Sequence, residues 1–192
     1  TESAGTTMLK GNTTLGTLAL TKGKVEVYRD AEIHALSMSN DGSLQVREQG
    51  VLKLGNATNG AQVQISKADA EVKSASSSAS GYDVSSSDYE IKNAHVKVTS
   101  ADSVNLANKL TQTSVENAGR GTLSVTNSTN SLAGVVASGG DMTLLNLAKN
   151  ASLDILDIAA GKTVSAYVGS NADDAQKGAV AVTGSATFGA SS

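Results

Sequence analysis

Gly42 to Gly60 reads GSLQVREQGVLKLGNATNG, and the fold turns on whether this is one hairpin or one coil of something that repeats. Leu44/Val46 and Leu52/Leu54 are short alternating runs, each followed by a glycine, and a polar cap separates them from Val63 and Ile65, where the apolar rhythm restarts. Alternation over four to six residues is the signature of a half-buried strand. The same unit recurs in both directions from this stretch. Polar turns ending in glycine fall at Gly23, Gly42 and Gly60, and Gly81, Gly121, Gly140 and Gly161 extend the series at steps near 20 residues. Apolar pairs recur in phase with the turns: Val25/Val27, Leu44/Val46, Val63/Ile65, Val96/Val98, Leu123/Val125, Leu144 with Leu147 and Val164 with Val168.

Two or three strands per step, joined by small polar turns, predict a right-handed parallel β-helix in which each coil stacks on the last, with about nine coils over the chain. Asn, Ser, Thr and Gly suit its corners because they accept turn dihedrals and offer side chains to backbone amides. Short strands with frequent turns would also permit an antiparallel β-sandwich as the alternative. The chain reads as a single β-helix segment over 1–192, with a Ser-rich excursion at Ala70 to Asp88 (AEVKSASSSASGYDVSSSD). Ser103 to Asn117 could be amphipathic helix, but its β-branched and Asn content favours strand and turn. A further strand pair is expected at Ala179 to Thr183.

Composition supports the β reading. Among 192 residues there is no proline, cysteine or tryptophan, one phenylalanine and four tyrosines, so the core must be built from Val, Leu, Ile and Ala. Thin, uniform side chains suit a narrow stack of layers, and a chain without proline can commit nearly all its amides to ladders. Net charge is −3 and no basic cluster interleaves with aromatics, so no nucleic-acid partner is expected. No apolar run is long enough for direct membrane insertion of this segment. The absence of cysteine rules out disulfides and thiolate metal sites and fits a secreted protein. The opening TESAGTTMLK carries neither an initiator Met nor an apolar export region and reads as a processed piece, any targeting signal lying outside it.

The motifs LGTLALTKGKVEVY, SVENAGRGTLSVTN, SGGDMTLLNL and AAGKTVSAYVGS resemble the degenerate repeats of autotransporter-like passenger regions of Gram-negative bacteria. The resemblance covers about Thr13 to Thr187. It implies a right-handed β-helix, extracellular or cell-surface localisation, and a membrane barrel elsewhere in the full protein. It does not choose an activity, since such repeats serve adhesins and secreted enzymes alike. This chain departs from a complete member in carrying no barrel and no protease domain.

Candidate chemistry is sparse. His34 shares a strand face with Glu32 and Asp30, and His95 sits in NAHVKV; both read first as solvent-facing residues of an outer face. Asp154/Asp157 and Asp173/Asp174 invite comparison with polysaccharide enzymes, which need two carboxyls across a sugar and aromatic or Arg support. Only Arg29, Arg47 and Arg120, and only Tyr28, Tyr82, Tyr89 and Tyr167, could supply that support. Asp154 and Asp157, three apart, point to opposite faces of a regular strand unless a bulge intervenes. SGGDMTLLNL lacks the tandem pattern of calcium repeats and reads as a turn, and the sequons at Asn12, Asn56, Asn127 and Asn150 read as corner chemistry. No catalytic, cofactor-binding or metal residue is therefore assigned and no cofactor is expected. The expected role is non-enzymatic adhesion to host glycan, mucin or neighbouring cells, with self-association through the β-helix ends. A polysaccharide-processing enzyme and an inert spacer are the alternatives.

Overall fold

A computed structural model of the chain describes residues 5–39, 42–55, 63–75, 78–80, 88–127, 132–147, 150–168 and 179–189. The first coil is β1 (Thr6–Leu9) with β2 (Thr13–Leu20), the second β3 (Gly23–Val27) with β4 (Asp30–Ser39), and the third β5 (Gly42–Val46) with β6 (Val51–Leu54). The opening stretch is thus one coil, β5 and β6, stacked in parallel on the coil before it: Gly42 pairs with Gly23, and Leu52 with Ala31. β7 (Val63–Ser66) and β8 (Glu71–Ser74) follow, with β9 (Ser78–Ser80) lying along β4. Beyond them come β10 (Tyr89–Lys92), β11 (His95–Val98) and β12 (Val104–Leu106), then β13 (Lys109–Thr111), β14 (Ser114–Asn117) and β15 (Leu123–Val125). β16 (Gly134–Ala137), β17 (Met142–Leu144), β18 (Asn150–Ile158), β19 (Val164–Ala166) and β20 (Ala179–Phe188) complete the stack.

These strands form three sheets. The first runs β1-β3-β5-β8-β10-β13, the second β2-β4-β6-β7-β11-β14-β16-β18-β20, and the third β12-β15-β17-β19. The architecture is an all-β solenoid of stacked coils, not a sandwich. It has about seven turns, fewer than the expected nine, because connections take up chain: Asn150 meets its partner only at Ala179. The 103–117 region is strand and turn, as its composition indicated.

One coil departs from the expected winding. β7 lies in the second sheet and β8 in the first, so the chain passes from second to first where every coil before it passes from first to second. β7 is antiparallel to both β6 and β11, and β8 to both β5 and β10. The chain doubles back for one coil and then resumes its direction. Part of the Ser-rich stretch is therefore structural: Ala70 and Val72 are buried in this reversed coil, whereas the expectation made them part of an excursion. Residues 76–77 and 81–87 lie outside the described residues.

Inward side chains stack in columns along the axis. Ala31, Leu52, Ile65, Val96, Val115 and Val135 occupy one column of the second sheet, all fully buried and linked by strand register. Val25, Leu44, Val72, Ile91 and Leu110 form the column facing it from the first sheet. Burying each Val, Leu or Ile side chain contributes roughly 1.5–3 kcal/mol relative to exposure. Tyr89 is the one aromatic among the buried core residues.

Corners are where the sequence is most constrained. A methyl group at Gly119 would lie 1.9 Å from the Ser100 carbonyl oxygen, and one at Gly121 2.0 Å from that of Asp102, so neighbouring coils touch backbone to backbone there. Asn108, Asn127 and Asn146 sit two residues beyond the aligned Leu106, Val125 and Leu144. Their amides donate to the Tyr89, Ala107 and Thr126 carbonyls respectively, which ties each corner to a backbone acceptor of the coil before it.

Candidate functional site

With alternate side chains turned inward, the outward positions of the first and second sheets form two flat polar faces. Each coil lies about 4.8 Å from the next, so side chains at equivalent positions meet. On the first sheet Glu26 is nearly buried beneath Arg47, which donates to it from Nη2 at 3.0 Å and also reaches Gln45 and Asp69. Tyr28 donates to Glu26 at 3.1 Å. The Arg47 hydrogen bond holds the Glu26 carboxyl below its ordinary range against the opposing effect of burial, and the Tyr28 hydroxyl is raised by its bond to Glu26. Further along the same face Glu90 meets Lys109 at 3.2 Å, Lys92 at 3.4 Å and the Thr111 hydroxyl at 3.0 Å. Burial pushes the Glu90 carboxyl up, but these partners outweigh it and the net shift is downward.

The second sheet carries both histidines. His34 Nε2 lies 2.9 Å from Glu32 Oε1, two positions away on the same strand face, as the spacing implied. Asp30 does not join them: its carboxylate lies 3.7 Å from Lys53 Nζ. His95 makes a contact that no local spacing predicts. Its Nδ1 is 2.9 Å from Ser114 Oγ and its Nε2 3.1 Å from Glu116 Oε2, both on the next coil. Glu116 also accepts from Ser138 at 2.8 Å and lies 3.5 Å from Lys97. Burial raises its carboxyl, the Ser138 and His95 hydrogen bonds and the Lys97 charge lower it, and the lowering prevails. The order hydroxyl, imidazole, carboxylate is that of a nucleophilic relay. Its setting differs from a catalytic one: Ser114 lies mid-sheet, its amide donates to the Ala94 carbonyl, and the neighbouring strand amides are committed to the ladder on both sides. An oxyanion needs free donors aimed at it. Among the described residues no group of three or more His, Cys, Asp or Glu could hold a metal ion.

Asp154 and Asp157 are separated by a mechanism the sequence left conditional. The pairing of β18 with β20 shifts register between Leu153 and Ile155, and the amides of both Asp154 and Ile155 donate to the Ala133 carbonyl. This bulge turns Asp154 into a corner groove, while Asp157 stands on the flat face in register with Val136 and Thr187. Asp173 and Asp174 lie outside the described residues, as does Tyr82. Tyr89, named as a stacking platform, is fully buried and cannot serve as one. In SGGDMTLLNL the Asp141 carboxylate accepts the Thr163 amide at 2.9 Å and its carbonyl accepts Asn117, which is turn chemistry.

The corner between the first and second sheets is the feature that spacing alone did not show. Lys67, Asn93 and Gln112 occupy it on three successive coils, each with left-handed backbone (φ 97°, 52° and 49°). With Leu132, Ala133, Ser152 and Asp154 they line an open groove of about 370 Å³. A 19-residue step does relate Asn93 to Gln112, so the strand register held the clue, but the reversed coil hides Lys67 from any such count.

Compared with known proteins, the chain matches no family model, no curated protein and no solved structure. The fold and the placement of side chains therefore carry the functional argument. No helix among the described residues is long and apolar enough to cross a membrane.

Proposed function

We propose that this chain is a surface-exposed or secreted β-helix passenger segment of a Gram-negative bacterium that acts by binding, without catalysis, in the manner of an adhesin. Its ligands are glycan chains of a host surface or mucus, or the surfaces of neighbouring cells. The observation that carries this reading is the state of the outer carboxylates. Glu26, Glu90 and Glu116 are each shifted downward and each locked to cationic or hydroxyl partners on adjacent coils. Polysaccharide hydrolysis needs the opposite: one carboxyl raised enough to hold a proton near neutrality, facing a second across the sugar. Ionised, cross-braced carboxylates instead make a rigid polar surface that repeats along the axis. Such a surface suits a repeating ligand, because weak contacts add when the ligand engages several coils at once.

The test is binding of the purified chain to an array of glycans and mucins, with release of reducing ends from the same polysaccharides followed in parallel. Saturable binding without new reducing ends is expected. Cleavage would replace this reading with the polysaccharide-processing one, and absence of binding across the array would leave an inert spacer.

A further inference from the structure

We infer that the corner groove lined by Lys67, Asn93, Gln112 and Asp154 is a subsite for the hydroxyl groups of a linear glycan laid along the solenoid axis. This deepens the adhesin reading and rests on it.

The groove differs from the flat faces in how its polar groups are used. On the faces, polar groups are spent on one another: Arg47 on Glu26, Lys109 on Glu90, His95 on Glu116. In the groove, the Lys67 ammonium and the carboxamides of Asn93 and Gln112 have no side-chain partner among the described residues, and all three residues are exposed. Each residue also has a left-handed backbone, which is strained for a residue that carries a Cβ. Asparagine accepts that conformation more readily than most; lysine and glutamine do not. A corner that needed only to turn could use glycine, as the strain-free choice.

The chemistry of the lining matches sugar. A carboxamide offers a donor and an acceptor in one plane, which pairs with vicinal hydroxyls, and an ammonium donates to hydroxyl or ring oxygens. The coils advance about 4.8 Å per step, close to the advance of one residue in an extended β-linked glycan. Successive corner side chains therefore meet successive sugars, and the Asp154 carboxylate, turned outward by the bulge, closes one end. Ligand specificity of this kind comes from a few placed polar groups on a shaped surface.

The test uses the 192-residue chain titrated with cellohexaose, xylohexaose, chitohexaose and a mucin. The comparison is with the double variant Asn93→Gly/Gln112→Gly, which deletes both carboxamides while keeping the left-handed backbone comfortable, and with Lys22→Ala in the exposed turn between β2 and β3. If glycine disturbs the fold, seen as a changed circular-dichroism spectrum, Asn93→Asp removes the donor at nearly constant shape. The expected result is saturable binding of at least one probe, tighter for hexaose than for the matching disaccharide. That binding should be weakened about tenfold or more by the groove variants and unchanged by Lys22→Ala. Equal affinity of wild type and groove variants would overturn the groove while leaving adhesion intact. Failure of the wild-type chain to bind any probe would overturn the adhesin reading, and the groove with it.

Discussion

The hydroxyl of Tyr89 donates to the backbone carbonyl of Leu36 at 2.8 Å, joining residues 53 apart in sequence through the interior of the solenoid. Burial pushes the Tyr89 hydroxyl up to about 12, because ionising it there would place a charge among aliphatic side chains. Tyr89→Phe leaves the Leu36 carbonyl without that donor and is expected to cost about 1–3 kcal/mol, measured by urea unfolding. A variant as stable as the wild type would show that the contact contributes nothing. Spectroscopic titration should find one tyrosine that ionises only near pH 12.

Asn117 is the polar member of an otherwise aliphatic column. Val98 and Ala137 hold the aligned positions on either side, yet Asn117 is only 2% exposed. Its amide donates to the Gly121 carbonyl at 2.8 Å and the Asp141 carbonyl at 2.9 Å, tying two successive corners together. Asn117→Val suits the strand but strips both acceptors, and a loss of about 1–3 kcal/mol is expected. A stabilised Asn117→Val would mean that the column, not the corner, dominates.

Backbone contact at the corners makes glycine substitutions sharply position-dependent. Gly119→Ala would place a methyl 1.9 Å from the Ser100 carbonyl oxygen, whereas at Gly16 the same methyl meets nothing within 4 Å. Gly119→Ala is expected to cost about 3 kcal/mol or more and Gly16→Ala less than about 0.5 kcal/mol. Paired thermal melts decide this, and comparable effects at the two sites would contradict the stacking.

The face carboxylates set the response to acid. Glu26, Glu90 and Glu116 all lie below their ordinary value of 4.5 in the folded chain, so the unfolded chain binds protons more tightly than the folded one. Their contribution is complete above about pH 4.5 and is lost as the pH falls through the lower folded values. Melting temperature is expected to hold steady from neutral pH to about pH 5.5 and to drop below about pH 4.5, with a smaller drop in Glu116→Gln. A melting temperature that rises on acidification would contradict the sign.

The solenoid was legible in the sequence because side-chain alternation and a polar turn near every twentieth residue are local features, set by which residues are buried. Val25, Leu44, Val63, Val96 and Leu123 all point inward as their spacing implied. Strand direction was not legible. Alternation reads the same forwards and backwards, so Val63 and Ile65 looked like the next parallel coil when they belong to the reversed one. The same limit hid the contacts of the outer faces. Glu32 and His34 could be paired from their spacing on one strand, whereas His95 meets Ser114 and Glu116 only through a register that composition does not encode. The corner groove combines both effects, since Lys67 reaches it only because its coil runs backwards.

That reversal underlies the groove and is open to direct test in a chain with no native cysteine. Gln64 pairs with Lys97 and Ser66 with His95 in the antiparallel register, all on the outer face. Directly opposed Cα atoms lie within disulfide range of about 4.4–6.8 Å, whereas diagonal positions are about 7–8 Å apart. Four double-cysteine variants, 64/97, 66/95, 64/95 and 66/97, would be oxidised under mild conditions and the rate of cross-linking measured. Rapid bond formation in 64/97 and 66/95 with little in the other two is the predicted result. Preferential cross-linking of 64/95 and 66/97 would mean that the coil runs parallel to its neighbours, and would contradict both the winding and the groove built upon it.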